Sequence, residues 1–270
     1  ITIARGEALP QIAERLAEER IIFSPVVFRW MLRLNGMSRN VMAGEYQLDP
    51  QMSMQDIADR FVEGDVLQHL VMVPEGLTSY QIVELLNKTS VLSGQVLTIP
   101  PEGSLMPETY SVPRGLSRDV LLEQMSAAMK VFMEEQWPLR SVGPVISNPR
   151  EALILASIIE RETGVGEERG IVSSVFVNRL ERGMRLQSDP TIIYGLSNGE
   201  GFIGRPIRRS EIRKDMPHNT YVIRGLPPTP IANPGKASIV AALNPDASPY
   251  LYFVASGDGG HVFSDNLEDH

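Results

Sequence analysis

Residues 148–164 read "NPREALILASIIERETG", and this stretch predicts the central helix of the chain. Its first four residues are a helix start signal, with Asn as the N-cap, Pro in the first helical position and Glu in the third. The apolar run from Leu153 to Ile159 then leads directly into two carboxylates, Glu160 and Glu162. Carboxylates are seldom buried unless something pairs with them, so the end of this helix is a candidate functional site.

The two glutamates cannot serve one pocket from a continuous helix, because positions two apart point about 200° away from each other. Glu160 shares a face with Leu153, Ala156 and Ser157, and we expect that face to be buried or half-buried. A carboxyl group held against apolar surface keeps its proton to a higher pH, which a general acid requires. The alternative for Glu160 is an ion pair with an arginine at the helix end. We expect Glu162 to face solvent or to support a neighbour.

The bulk composition describes a soluble globular protein. The chain has 270 residues, which is enough for two domains of ordinary size, and 43% of them are hydrophobic. A formal net charge of -8 and a pI near 5.1 argue against a nucleic-acid binder. With no cysteine and four scattered histidines, the sequence indicates no metal site and no other cofactor. It also contains no signal peptide and no apolar run of the roughly 20 residues that a membrane span needs.

The first hundred residues contain short units that resemble one another. "GEALPQIAERL" (6–16) and "GLTSYQIVELL" (76–86) share Gly, Gln, Ile, Glu and Leu at fixed positions, and "QDIADRF" (55–61) repeats the helical part. Each unit predicts a strand or turn, a glycine and a short amphipathic helix. Such units are similar to LysM-type glycan-binding modules. A common strand-turn-helix packing unit is the alternative.

The fold class that follows is α+β, with a small LysM-like domain at 1–97 and a larger, mainly helical domain at 98–270. The Pro- and Gly-rich stretch 98–117 predicts an irregular connection, and we place the boundary there. Ser24-Pro25 predicts the start of a helix that Gly36 ends, and Ser53 with Asp56 predicts a capping box at the start of another. Further helices are predicted from Ser117 to Glu135, from Glu167 to Arg182, and after Asn233-Pro234. The segments "YLYFVAS", "GDGG" and "HVFS" (250–264) predict a terminal β-hairpin.

Several long motifs occur in a fixed order in the second half. They are "LASIIERETG" (155–164), "VFVNRLERGMRLQSDPTIIYG" (175–195), "NTYVIRGLPPTPIANPG" (219–235) and "YLYFVASGDGGHVFS" (250–264), preceded by "EGSLMPETY" (102–110). In this order they resemble the YceG-like family, the endolytic murein transglycosylases of bacterial cell envelopes. The resemblance covers nearly the whole chain.

The resemblance implies that Glu160 is the catalytic acid/base. Enzymes of this family cleave the MurNAc–GlcNAc β-1,4 bond of nascent peptidoglycan without water, which contributes to terminating glycan chain elongation. One carboxyl group is sufficient for that reaction. It protonates the leaving oxygen and then accepts the proton of the sugar's own C6 hydroxyl, which closes a 1,6-anhydro ring.

The resemblance also implies a set of substrate-binding residues: Gln187, Asp189, Asn219, Tyr221 and His261. Each has an alternative role that the sequence leaves open. Asp189 with the following proline is also an N-cap and N1 pair. Tyr221 could be a half-buried core residue, and a histidine at the end of a hairpin is often structural.

The predicted partners are peptidoglycan glycan strands and, from the resemblance alone, cell-wall synthases; nucleic acid is not among them. The family is usually held in the cytoplasmic (inner) membrane by a single N-terminal helix and faces the periplasm or the cell exterior. Ile1 begins what looks like a strand without an initiator Met, so we expect a trimmed chain that lacks this anchor.

Two other functions remain open at this stage. The first is a muramidase-type hydrolase, in which Asp189 or Glu108 places the attacking water. The second is a glycan-binding scaffold that uses the N-terminal units and performs no chemistry. The products distinguish these possibilities, because a hydrolase leaves reducing ends and a scaffold releases no fragments.

Overall fold

The computed structural model of the protein describes residues 1–4, 6–257 and 259–270. Its α-helices are Leu9–Glu18 (α1), Pro25–Leu34 (α2), Met54–Glu63 (α3), Ser79–Lys88 (α4), Arg118–Gln136 (α5), Pro149–Glu162 (α6), Arg169–Glu181 (α7), Asp189–Leu196 (α8), Arg209–Ile212 (α9) and Lys236–Leu243 (α10). Short 3-10 helices cover Trp137–Leu139 and Gly166–Glu168. The helices and small sheets together confirm the predicted α+β class.

The strands form small two-stranded sheets. They are Thr2–Ile3 (β1), Gly44–Glu45 (β2), Gln68–Met72 (β3), Thr109–Pro113 (β4), Tyr252–Ala255 (β5) and His261–Ser264 (β6). In the described part of the chain, β1 pairs with β2, β3 with β4, and β5 with β6. None of the helices among these described residues is long and apolar enough to cross a membrane.

The chain divides into two units. The smaller unit comprises Ile1–Val71, Thr89–Ser93 and Tyr110–Ser117, and the larger unit comprises Met72–Lys88, Gly94–Thr109 and Arg118–His270. This division does not coincide with a single boundary after residue 97, because the chain passes between the units several times. The larger unit contains α4 and every helix from α5 onward.

The smaller unit packs α1, α2 and α3 around one apolar core. Phe28, Tyr46 and Phe61 are fully buried in it, and the rings of Tyr46 and Phe61 meet edge to face with 4.7 Å between centroids. The Tyr46 hydroxyl donates to the Met42 carbonyl at 2.8 Å, so this buried phenol keeps a polar partner.

Three predicted helix starts are confirmed at atomic detail. Ser24 caps α2, Ser53 forms a capping box with Asp56 at the start of α3, and the Asn148 side chain accepts from the Glu151 backbone N–H at 3.0 Å. Each cap satisfies a backbone N–H that has no partner inside its helix. The predicted repeats at 6–16, 55–61 and 76–86 also lie on helices: α1, α3 and α4.

Helix α6 is the centre of the larger unit and packs against α7, α8 and α10. Its residues Leu155, Ile158 and Ile159 are completely buried. Ser157 is buried among them, where its hydroxyl donates to the Ile154 carbonyl and accepts from the Ile231 backbone N–H at 3.0 Å. These contacts fix the last turn of α6, which carries both glutamates.

The stretch 98–117 is not wholly irregular, as it contains strand β4. Within β4 the exposed Thr109 and Ser111 alternate with the half-buried Tyr110 and the buried Val112. The density of proline and glycine around this short alternation concealed the strand.

Helix α10 begins at Lys236, with Gly235 as its N-cap, and not at Asn233 as predicted. The Asn233 side chain has other partners: it accepts from the Leu105 N–H and donates to the Leu77 carbonyl and the Glu102 carboxylate. The side-chain oxygen of a cap residue must accept from a backbone N–H of the first helical turn. The side-chain oxygen of Asn233 accepts from the Leu105 N–H instead.

The predicted terminal hairpin is confirmed by the antiparallel pairing of β5 and β6, with Phe253 opposite Phe263. Asp258, in the predicted turn, lies outside the described residues. Helix α7 also forms close to its predicted range, and it lies against β5.

Candidate active site

Helix α6 directs its two glutamates to different places, as their spacing predicts. The Glu160 side chain is 7% exposed, and its Oε2 accepts from the Gly235 N–H at 2.9 Å. Its Oε1 lies 3.8 Å from the Arg169 guanidinium. Glu160 therefore connects the end of α6 to the start of α10 and to α7.

Glu162 is the last residue of α6 and lines a cleft of about 370 Å³. The other lining residues are Arg179, Leu186, Gln187, Asp189, Tyr221, Tyr252, Phe253, Leu267 and His270. Glu162 was expected to face solvent or to support a neighbour, and the structure shows it half-buried in the lining of this cleft. The helix ends there, and α8, the Tyr221 loop and the hairpin close around its side chain.

The cleft keeps Glu162 ready to hold a proton near neutral pH. Burial raises the pKa of Glu162 to about 7, since desolvation disfavours the carboxylate. The Ser188 hydroxyl lowers this pKa in part, the Asp189 carboxylate raises it, and His261 and Arg179 lower it to a smaller degree. A carboxyl group with a pKa near the working pH can both give and take a proton.

Asp189 and Tyr221 form a second polar pair in the cleft. The Tyr221 hydroxyl donates to Asp189 Oδ1 at 2.7 Å, and burial together with this carboxylate raises the pKa of Tyr221. The tyrosine therefore stays a neutral donor. The N-cap of α8 is Ser188 and Asp189 is the first helical residue, so the alternative of Asp189 as the cap is wrong.

Gln187 reaches the cleft on a strained backbone. Its φ of 54° lies in the left-handed region, which few residues other than glycine adopt. Thr220 holds the turn: its carbonyl accepts from the Gln187 N–H at 3.2 Å, and its hydroxyl accepts from the Ser188 N–H at 2.9 Å. Such strain persists only where the surroundings fix it, and it concentrates at functional sites.

Arg179 is a cleft residue that the sequence analysis missed. It is 6% exposed, and it donates to the Leu251 and Leu186 carbonyls, both at 2.6 Å. Its guanidinium lies 5.2 Å from the centre of the Tyr252 ring. A single arginine inside the apolar run of α7 was the available signal, because a buried guanidinium needs several fixed acceptors.

His261 lies beside the cleft and is held by Glu168. Its Nδ1 is 2.6 Å from Glu168 Oε2, and its backbone N–H donates to Glu168 Oε1 at 2.9 Å. The bond with the His261 side chain holds the pKa of Glu168 below its usual range. The pair joins β6 to the start of α7. The charge of His261 lowers the pKa of Glu162 slightly.

Asn219 was predicted to bind substrate, and the structure places it outside the cleft lining. It is completely buried, and its amide donates to the carbonyls of Glu211, Ile212 and Lys214. Its side-chain oxygen accepts from the Tyr221 N–H at 3.0 Å. The hydrogen bonds of its side chain all go to the backbone of the segment that leads to Tyr221.

We expect Asn219→Ala to lower the free energy of unfolding by about 3 kcal/mol, because it removes four hydrogen bonds between a buried side chain and the backbone. Urea denaturation measures this change. Asn40→Ala is the matched control, since Asn40 is exposed and its replacement should change stability by less than about 0.5 kcal/mol. Equal losses in the two variants would contradict the role given to Asn219.

Glu108 lies outside the cleft lining and forms an ion pair with Lys236. Within the described residues, no group of three or more His, Asp or Glu side chains is arranged to hold a metal ion. The titratable residues of the cleft lining are Glu162, Arg179, Asp189, Tyr221, Tyr252 and His270.

A protonated carboxyl group beside a carboxylate, with aromatic side chains at the walls, is the kind of site that cleaves glycosidic bonds. The sequence profile of the YceG-like family matches residues 1–270. The chain belongs to the YceG-like family, which confirms the family predicted from the motifs. A crystal structure of a YceG-like protein from Listeria monocytogenes is similar, with a TM-score of 0.61 and 30% identity, covering 100% of this chain and 97% of that one.

Curated relatives carry the name of an enzyme. A protein of Bacillus subtilis is 28% identical over 306 residues, covering 100% of this chain and 82% of its own length. A protein of Streptococcus pneumoniae is 27% identical over 318 residues, and the chain spans 56% of that relative's length. Both are named endolytic murein transglycosylase.

Proposed function

We propose that the chain is an endolytic lytic transglycosylase that cleaves the MurNAc–GlcNAc β-1,4 bond of nascent peptidoglycan and leaves 1,6-anhydro-MurNAc ends. The observation that carries the proposal is the position of Glu162, a carboxyl group with a pKa of about 7 in the cleft of a YceG-like chain. The name shared by the curated relatives supports it.

Glu162 performs both proton transfers. It first donates its proton to the glycosidic oxygen as the bond from that oxygen to C1 of MurNAc breaks. The resulting carboxylate then takes the proton of the C6 hydroxyl while O6 bonds to C1. The proton returns to Glu162 and no water is consumed. The intramolecular attack is favoured because both reacting atoms belong to one bound sugar.

Asp189 stabilises the positive charge that develops at C1 during bond cleavage. Its carboxylate is oriented by the Tyr221 hydroxyl, so it need not reorganise as the charge appears. Gln187 lines the cleft and offers hydrogen bonds to sugar hydroxyl or acetamido groups.

This proposal moves the acid/base from Glu160, where the motif comparison put it, to Glu162. The family motif matches Glu160 to the first glutamate of "ERE", and Glu162 is the second glutamate, two positions later. Both oxygens of Glu160 already have partners, the Gly235 N–H and the Arg169 guanidinium. A proton donor to a sugar must be accessible to the substrate, and Glu162 lines the cleft.

A muramidase-type hydrolase is the second candidate, and it is favoured by the presence of Asp189 in the same cleft as Glu162. In a hydrolase Asp189 would place or replace the attacking water. Glu108 no longer has this role in the alternative, since it pairs with Lys236.

Mass spectrometry of fragments released from peptidoglycan tests the proposal. We expect 1,6-anhydro ends from the unmodified chain and no fragments from Glu162→Gln. Hydrated reducing ends would replace the proposal with the hydrolase. Glycan bound equally by both proteins and left intact would replace it with the non-catalytic scaffold.

We also propose a cellular role, a location and a division into domains for this enzyme. The enzyme helps to terminate glycan chain elongation beside cell-wall synthases. It acts outside the cytoplasm, where murein is found, and is held at the cytoplasmic membrane by an N-terminal anchor. Its N-terminal units act as LysM-like glycan contacts. Residues 98–270 form the catalytic part, since every residue lining the cleft lies in that range.

A further inference from the structure

The segment from Arg20 to Gly44 differs in charge from the rest of the chain. It contains four arginines, Arg20, Arg29, Arg33 and Arg39, and no aspartate or glutamate, whereas the whole chain has a net charge of -8. All of these residues belong to the smaller unit, outside the cleft. The segment is therefore a local positive patch on an acidic protein.

Helix α2 within this segment is apolar on both sides. Its inner side buries Phe28 and Leu32 in the core of the smaller unit. Its outer side and the residue before it leave large apolar side chains in solvent: Phe23, Val26, Val27, Trp30 and Leu34. Phe23 and Leu34 are 79% and 78% exposed, so nothing in the unit covers this face. A helix that is apolar all round normally has a partner on each side.

A pocket of about 430 Å³ lies against the same helix, lined by Leu9, Pro10, Arg29, Trp30, Arg33 and Ser38. The Ser38 hydroxyl is buried there and has no hydrogen-bond partner in the described structure. Arg33 lies over the Trp30 ring at 6.0 Å from its centre. Two guanidinium groups and a free hydroxyl are the groups that bind phosphate oxygens.

We propose that this face of the smaller unit binds the surface of an anionic phospholipid membrane. The pocket of Arg29, Arg33 and Ser38 takes the phosphate of one lipid headgroup. The exposed apolar side chains of α2 enter the boundary between headgroups and acyl chains, with Trp30 at the interface. Basic residues and tryptophan on an otherwise apolar helix face are the signature of a helix that lies on a bilayer.

The position of the apolar side chains selects lipid over free phosphate as the occupant. On a helix, Val26, Trp30 and Leu34 follow one another at four-residue spacing, and Arg29 and Arg33 flank them by one residue. A soluble phosphate would use the arginines alone and leave the apolar stripe exposed. An anionic bilayer surface binds the arginines and covers the apolar side chains at the same time. This inference does not depend on the proposed glycan chemistry, because the cleft lies in the other unit.

Vesicle co-sedimentation tests the proposal, with phosphatidylcholine vesicles compared with vesicles that also contain phosphatidylglycerol. We expect binding only to the anionic vesicles, weakened roughly 30-fold in Arg29→Gln/Arg33→Gln, since each arginine near such a surface strengthens binding several-fold. Arg208→Gln/Arg209→Gln is the matched control. It removes the same charge from exposed positions in the larger unit and should bind as the unmodified chain does.

Tryptophan fluorescence gives a second readout. The chain has two tryptophans, so in a Trp137→Phe background only Trp30 reports, and its emission should shift to the blue on anionic vesicles. Equal binding to neutral and anionic vesicles would overturn the proposal. So would binding of inorganic phosphate without binding of vesicles, or equal weakening in the control variant. Cleavage of soluble glycan fragments, measured separately, should be unchanged in the arginine variants.

Discussion

Glu162→Gln lowers the rate of glycan cleavage at least about 100-fold, because it removes the group that transfers protons while keeping the shape of the side chain. Glu162 lines the cleft together with Asp189 and Tyr221. The measurement is the initial rate of release of fragments from purified peptidoglycan strands.

Glu160→Gln is the matched control, two residues earlier on the same helix. The amide oxygen of the new glutamine can still accept from the Gly235 N–H. The side chain no longer carries the negative charge that lies 3.8 Å from the Arg169 guanidinium. We expect a lower melting temperature and a rate within about 10-fold of the unmodified chain, measured below that temperature. An inactive Glu160→Gln that stays folded, beside an active Glu162→Gln, would return the acid/base to the residue that the motif predicted.

The choice between these glutamates shows the limit of the sequence. Helical spacing predicted correctly that they point to different sides of α6. Which side holds the cleft depends on α8, the Tyr221 loop and the β5–β6 hairpin, all distant in the chain. A burial argument from α6 alone favoured Glu160, since its neighbours at earlier turns are apolar. The Glu160 side chain is 7% exposed, and it contacts the Gly235 N–H and the Arg169 guanidinium.

Local signals were reliable where the contacts are local. The caps at Ser24, Ser53 and Asn148 were predicted because each needs only residues within one turn. Asn219 and Asn233 could not be assigned in this way. Their side chains bond to backbone groups that the fold brings together, and a polar residue in a motif looks the same whether it binds a sugar or a carbonyl.

Arg179 shows a signal that was present and not used. A lone arginine among the apolar residues of α7 must either break the core or find acceptors, and it finds two carbonyls and the face of Tyr252. The resemblance to the family predicted Gln187, Asp189 and Tyr221 as substrate-binding residues, and these three residues line the same cleft.

The pH dependence of stability should identify Glu162 independently of activity. Its pKa is raised from 4.5 to about 7 in the folded protein. Between these values the folded state keeps a proton that the unfolded state has lost, so the free energy of unfolding falls as pH rises through this window. Gln at this position stays neutral at every pH. We expect Glu162→Gln to match the unmodified chain at about pH 4.5 and to exceed its stability by about 3 kcal/mol at about pH 8.

Urea denaturation at the two pH values measures this difference. Glu102 provides the comparison, because burial raises its pKa to about 7 as well while it lies outside the cleft lining. Glu102→Gln should therefore gain stability with pH in the same direction and keep its cleavage activity. In the unmodified chain the rate should fall about 10-fold per unit above about pH 7, as Glu162 loses the proton that it must donate. A stability difference for Glu162→Gln that does not change with pH would mean that this carboxyl group is ionised in the folded protein, and it would remove the basis for its role as the acid.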